Sequence, residues 1–157
     1  MPKQSAGLLL YRRAAGCEVE VLIAHPGGPL FARRDAGSWT VPKGEYEPGE
    51  EPLATAAREF AEELGHGAPD GERIDLGEIR QASGKRVRVW AVAGDLDERS
   101  VTSNEFEMEW PPKSGERQRF PEVDRAEWVS LDVAREKLNP SQSRFIPRLA
   151  EALGVLR

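Results

Sequence analysis

The segment from residue 50 to residue 64 carries the strongest periodic pattern in the chain, and it limits what the rest of the chain can fold into. Its apolar residues recur at the i, i+3, i+4, i+7 spacing of one helical stripe, at Leu53, Ala56, Ala57, Phe60, Ala61 and Leu64. Gly65 follows directly, and glycine is the preferred left-handed C-cap of a helix. The pattern predicts one amphipathic helix that must pack against a sheet or another helix.

Segments with strand-like patterns lie on both sides of this helix. The predicted strands cover residues 6–12, 18–25, 38–42, 74–81, 85–93, 105–110 and 126–130, with an exposed loop over 113–120. Two further helices are predicted over 131–138 and 143–153. Strands around one strong helix, with more helix at the end of the chain, predict an α/β sandwich with a mixed β-sheet. A length of 157 residues predicts a single domain over 1–157.

Composition narrows the possible location and partners of this domain. The longest apolar run covers residues 6–11, which is too short to cross a bilayer, and no signal-peptide pattern is visible. Cys17 is the only cysteine, which fits a reducing cytoplasm, and the two histidines argue against a zinc site. A net charge of −5 disfavours nucleic acid as a partner. We therefore expect a cytoplasmic protein without a membrane partner.

Three acidic residues of the predicted helix lie where they cost stability. At 100° per residue, Glu59, Glu62 and Glu63 fall within about 100° of one another, clear of the apolar stripe. Each like-charge neighbour costs about 0.2–0.5 kcal/mol, and the group lies near the negative end of the helix dipole. Either the patch is a solvated acidic face, or it supplies the oxygen ligands that Mg²⁺ prefers. Helix spacing alone leaves both interpretations open.

The residues around this patch form a longer pattern that distinguishes the two interpretations. Gly44, Glu50, Arg58, Glu59, Glu62, Glu63 and Gly65 stand at the spacing Gly, five residues, Glu, seven residues, then Arg-Glu-hydrophobic-x-Glu-Glu-x-Gly. This resembles the signature of the Nudix hydrolases, with Phe60 at the hydrophobic position. His66 departs from the pattern, because the family usually has an aliphatic residue there. The resemblance implies the Nudix α/β/α sandwich with a mixed β-sheet.

The resemblance also implies a chemistry and a set of metal ligands. Nudix enzymes use Mg²⁺ or Mn²⁺ to hydrolyse a nucleoside diphosphate linked to another group. Carried over to this chain, the implied metal ligands are the Gly44 carbonyl, Glu59, Glu62, Glu63 and Glu122. Glu59, Glu62 or Glu122 is implied to orient or deprotonate water, and Arg58 is expected to hold the carboxylates in place. Glu122, six residues before Trp128, matches an additional glutamate of many family members, and Glu107 and Glu109 are its rivals.

Residues before the signature point to the substrate. The Trp39-x-x-Pro-Lys-Gly44 opening resembles the diadenosine polyphosphate hydrolase and diphosphoinositol phosphatase branches of the family. In that setting Lys43 is expected to bind phosphate as a point charge. The other predicted substrate-binding residues are Arg33, Arg34 and Arg88 for a phosphate tail, and Tyr46 as an aromatic that could stack a base.

The resemblance, carried by these residues, implies a metal-dependent pyrophosphohydrolase with a small-molecule polyphosphate substrate. Dinucleoside polyphosphates are the first expectation, and cleanup of damaged nucleoside triphosphates is the alternative. A non-catalytic nucleotide-binding regulator is a third possibility, although such domains usually lose signature acids that this chain retains. The 103–122 segment is expected to contribute to specificity, because ordered loops of this length are often functional.

Overall fold

A mixed β-sheet forms the centre of the structure, a computed structural model that describes residues 3–16 and 18–155. Cys17, on which the expected location depends, lies outside the described residues. The strands are β1 (Gln4–Arg13), β2 (Val19–Pro26), β3 (Lys43–Tyr46), β4 (Ile74–Arg80), β5 (Arg86–Ala93), β6 (Glu105–Glu109), β7 (Arg117–Pro121) and β8 (Val123–Ser130). The helices are α1 (Pro52–Leu64), α2 (Leu131–Lys137) and α3 (Phe145–Leu153).

The main sheet has the order β4-β5-β1-β2-β8, and β3 also pairs with β1. The β1–β5 pair is parallel and the other pairs are antiparallel, so the predicted mixed sheet is confirmed. Along one edge, β1 pairs with β3 at Gln4–Gly7 and with β2 only from Tyr11 onward. The strands β3 and β2 therefore pair with successive parts of the same edge of β1. This arrangement places the end of β2 near the start of β3.

Helices cover both faces of the sheet. One apolar cluster joins the sheet to α1, with Phe60 and Leu64 fully buried against Leu8 and Leu10. The other cluster joins the opposite face to α2 and α3, and its fully buried members include Trp39, Leu9, Ile23, Phe145 and Ile146. The α/β/α sandwich expected from the resemblance is thus confirmed. None of the helices in the described residues is both long and apolar enough to span a bilayer.

Local structure agrees with the sequence at the strong signals and departs from it at weak ones. Gly65 caps α1 in the left-handed conformation, with φ 73°, although the helix begins at Pro52 rather than at residue 50. The predicted 38–42 strand is wrong, because this stretch forms only isolated bridges through Trp39 and Thr40. The predicted loop over 113–120 is wrong from Arg117 onward, where β7 pairs with β6. The strand β3 was not predicted.

Candidate metal and substrate site

Three of the predicted acidic ligands meet at one point. Glu59 and Glu63 on α1 and Glu122 between β7 and β8 each offer a carboxylate oxygen, and these oxygens lie within 4.8 Å of one another. The donor set consists entirely of hard oxygen ligands, which fits Mg²⁺ or Mn²⁺. Glu62 lies beside this group, and one of its oxygens accepts from Arg58 Nη1 at 3.4 Å. Glu122 thus lies beside the acids of α1, although it is distant from them in the sequence.

Glu63 is buried, although helical projection places it clear of the apolar stripe. Its exposed fraction is only 7%. The cause is β3, which packs along the acidic side of α1: a Cβ added to Gly44 would lie 2.1 Å from Glu59 Cδ. A side chain at position 44 would therefore displace Glu59. The backbone N–H of Lys43 lies near the Glu63 carboxyl and favours its charged form.

Burial and mutual repulsion raise the pKa values of the clustered carboxyls. Desolvation and the nearby charge of Glu59 raise the pKa of Glu63 to about 8. Desolvation, followed by the charge of Glu62, raises the pKa of Glu59 and that of Glu122 above the ordinary range. The cluster therefore favours protons or cations, since either one relieves the repulsion.

Neighbouring groups hold the carboxylates in place. Arg58 Nη1 donates to Glu59 Oε2 at 3.0 Å as well as to Glu62. The backbone of Glu122 is fixed on both sides, because its N–H donates to Asn104 O at 2.8 Å and its carbonyl accepts from Gly27 N–H at 2.9 Å. The position of the Glu122 backbone thus depends on two other segments of the chain.

A cleft of about 300 Å³ opens beside the cluster. Glu63, Glu122 and Lys43 are its charged lining residues, and Phe31 and Val123 are among its apolar ones. Desolvation, and secondarily the charge of Lys85, lowers the pKa of Lys43, while Glu63 and the other nearby acids oppose that change. Lys43 forms no ion pair within 4.0 Å among the described residues. Its ammonium is therefore available to an anionic ligand.

The other predicted substrate residues do not line this cleft in the described part of the chain. Arg33 and Arg34 are exposed on the loop after β2. Arg88 forms an ion pair with Asp75 and its guanidinium lies 5.1 Å from the Trp90 ring centre. Tyr46 is half-buried and packs beside the α1 cluster. Their roles in substrate binding stay predictions.

The structure adds three amide residues that the sequence pattern did not reveal. Gln81, Asn139 and Gln142 line the same cleft from three separate segments. No sequence spacing relates these residues to the signature. The Asn139-Pro140 pair indicates a turn at that point but no role in a site. They extend the site from the carboxylate cluster toward the face of the sheet covered by α2 and α3.

His25 connects segments of the chain close to Glu122. Its ring is fully buried, with Nδ1 2.8 Å from Asp124 Oδ1 and Nε2 2.7 Å from Arg34 O. The carbonyl oxygen can only accept, so Nε2 donates to it. The imidazole thereby connects the end of β2 to the following loop and to β8, two residues after Glu122.

Replacing His25 by Asn is expected to reduce the free energy of unfolding by about 2–4 kcal/mol, because buried polar groups lose their partners. Urea denaturation followed by tryptophan fluorescence measures the loss. His66→Asn is the matched control, since His66 follows Gly65 on the surface and its ring bonds, among the described residues, only Ser100 Oγ, at 2.8 Å. Equal stability of the two variants would show that the His25 contacts contribute little.

The fold and this carboxylate-lined site define a mixed-sheet α/β domain of the Nudix type. The chain matches the NUDIX domain family over residues 1–149, and it belongs to that family. It is also 29% identical over 154 residues to an 8-oxo-(d)GTP phosphatase of Mycolicibacterium smegmatis, a match that covers 92% of this chain. The chain spans 40% of the length of that relative.

Solved structures share the fold over nearly the whole chain. An Ap4A hydrolase of Caenorhabditis elegans, in a binary complex, superimposes with a TM-score of 0.68 at 21% identity, covering 96% of this chain and 98% of the other. The NUDIX domain of Shewanella oneidensis NrtR, complexed with ADP ribose, gives a TM-score of 0.66 at 16% identity, with coverages of 98% and 89%. At these identities the similarity concerns the fold.

Proposed function

We propose that this chain is a single Nudix domain over residues 1–157 that hydrolyses a phosphoanhydride bond in a nucleoside diphosphate-linked substrate, with Mg²⁺ or Mn²⁺. The main support is the convergence of Glu59, Glu63 and Glu122 within 4.8 Å, beside a cleft that holds Lys43. Dinucleoside polyphosphates are the first substrate class to test, because of the Trp39-Thr-Val-Pro-Lys-Gly44 opening. The lone cysteine of the sequence supports a cytoplasmic location.

The metal would be held by Glu59, Glu63 and Glu122, with Glu62 and the Gly44 carbonyl as further ligands. Bound divalent cations neutralise the charge of a pyrophosphate and lower the pKa of bound water. Lys43 binds a phosphate oxygen at the mouth of the cleft. Arg58 keeps Glu59 and Glu62 oriented.

A carboxylate of the cluster takes the proton of the attacking water. Glu122 and Glu59 are the two candidates, since desolvation raises the pKa of both, and a carboxylate with a raised pKa is a stronger base. Water attacks one phosphorus of the anhydride, the bridging oxygen leaves with the other phosphoryl group, and two phosphate-terminated products result. The reaction needs no protein nucleophile.

Hydrolysis of a substrate panel, with and without Mg²⁺, tests this proposal. The panel contains dinucleoside polyphosphates, nucleoside triphosphates, oxidised nucleoside triphosphates and inositol pyrophosphates, and ³¹P NMR identifies the bond that breaks. Glu62→Gln is the control, since activity retained by this variant would come from a contaminant. Nucleotide binding without metal-dependent turnover of any member would favour a non-catalytic regulator.

Cleanup of damaged nucleoside triphosphates is the second candidate. Its support is the relative from M. smegmatis, named an 8-oxo-(d)GTP phosphatase, whose similarity covers 92% of this chain. A comparison of kcat/KM between Ap4A and 8-oxo-dGTP distinguishes the two classes directly. Substrate preference of at least tenfold in either direction decides between them.

A further inference from the structure

Hydrogen bonds fix the orientation of Gln142 at the inner wall of the cleft. The side chain is buried, with an exposed fraction of 2%. Val41 N–H donates to Gln142 Oε1 at 2.9 Å, and a backbone N–H can only donate. Thr40 Oγ1 lies 3.2 Å from the same oxygen, although its proton also has the nearer Val41 carbonyl, at 2.9 Å, as an acceptor. The amide nitrogen of Gln142 must therefore face the other way.

Gln142 in turn orients Gln81. Gln142 Nε2 lies 3.3 Å from Gln81 Oε1, so the oxygen of Gln81 is occupied as an acceptor. The amide nitrogen of Gln81 forms no hydrogen bond among the described residues, and Gln81 lines the cleft. The cleft thus receives an N–H₂ donor at this position whose orientation is set from the protein interior.

Asn139 is oriented by the same logic. Ser141 N–H donates to Asn139 Oδ1 at 3.0 Å, which leaves the amide nitrogen of Asn139 as its free group. That nitrogen has no partner in the described part of the chain either. The lining of the cleft therefore carries two oriented neutral donors, at Gln81 and Asn139, in addition to the Lys43 ammonium.

We infer that Gln81 and Asn139 determine substrate specificity by donating to a group of the substrate that only accepts hydrogen bonds. This inference rests on the proposed function, because it places the substrate in the cleft beside the carboxylate cluster. A ligand that presents an N–H₂ group to either residue leaves that donor unpaired, which strongly disfavours it. Two sources share the accepting chemistry, a phosphate oxygen and a nucleobase carbonyl.

The test compares Ap4A with Gp4G, since guanine has a carbonyl where adenine has an amino group. Gln81→Glu replaces the donor by an acceptor of the same shape, Gln81→Met removes it without charge, and Ala82→Glu adds the charge at the exposed neighbouring position. Both Gln81 variants are expected to lose about tenfold or more in kcat/KM, mainly through KM, while Ala82→Glu stays within about threefold. Thermal unfolding confirms that each variant is folded.

The pattern of losses identifies the accepting group. Equal losses on both substrates indicate a phosphate oxygen, and a loss confined to Gp4G indicates the base carbonyl; both support the inference. Unchanged kcat/KM for both substrates in Gln81→Glu and Asn139→Asp would overturn it, even with an active wild type. Failure of the proposed function is a separate result. If the wild type hydrolyses neither substrate, calorimetric titration of Ap4A and Gp4G with Mg²⁺ still tests the donors. Equal affinities of wild type and variants in that titration would overturn the inference.

Discussion

Glu63→Gln is expected to make the metal-free protein more stable at pH 8 while removing metal-dependent turnover. The pKa of Glu63 is raised from 4.5 to about 8 by desolvation and by Glu59. Between these two values the folded state binds a proton that the unfolded state has released. Stability therefore falls as pH rises from about 5 to 8, because the unfolded state releases this proton while the native state retains it.

Glutamine has nearly the same shape and carries no charge to bury. We expect a gain of about 1–3 kcal/mol for the variant at pH 8 in the presence of EDTA, and no gain at pH 4, where the wild-type carboxyl is protonated in both states. Thermal unfolding at several pH values measures this difference. The exposed Glu72→Gln provides the matched control, and it should not change the pH dependence.

Metal reverses the order of stability. Mg²⁺ is expected to stabilise the wild type increasingly as pH rises, because it binds only the folded, deprotonated cluster. It should leave Glu63→Gln almost unchanged, and kcat/KM of the variant should fall by at least about 100-fold. A variant that keeps both its Mg²⁺ stabilisation and its turnover would remove Glu63 from the metal site.

The burial of Glu63 illustrates what the sequence could not reveal. Helical projection places Glu63 away from the stripe that contains Phe60 and Leu64, and the stripe itself is observed. A helix can, however, bury a second strip when another element packs on it. Here that element is β3, whose Gly44 lies against Glu59. The residues of β3 show no alternation of apolar and polar residues that would predict a strand. Its extended conformation depends on its pairing with β1.

Signals within one segment predicted structure well, and signals between segments did not. The apolar stripe and Gly65 define α1 almost to the residue, since both act within a few helical turns. The strand β7 is polar, and its pairing with β6 includes ion pairs such as Arg119–Glu105, so its sequence resembled a loop. Gln81 and Gln142 are 61 residues apart, and their contact arises only when the sheet and the last helices meet.

Glu122→Gln is expected to lower turnover by about 100-fold or more, whereas Glu107→Gln and Glu109→Gln should stay within about threefold. Only Glu122 of these three joins the cluster with Glu59 and Glu63. Glu107 pairs with Arg117 on the exposed β6–β7 hairpin, and Glu109 accepts from backbone N–H groups at its tip. The two rivals are thus matched controls for the loss of one glutamate charge.

Two measurements separate the possible roles of Glu122. If it acts as general base, kcat falls, Mg²⁺ affinity stays near the wild-type value, and the acidic limb of the pH–rate profile changes. If it is mainly a metal ligand, the apparent Mg²⁺ affinity falls, and part of the turnover returns at high Mg²⁺. Full turnover with unchanged Mg²⁺ affinity would exclude both roles. The backbone bonds to Asn104 and Gly27 remain in the variant, so the loss reports on the carboxylate rather than on the position of the segment.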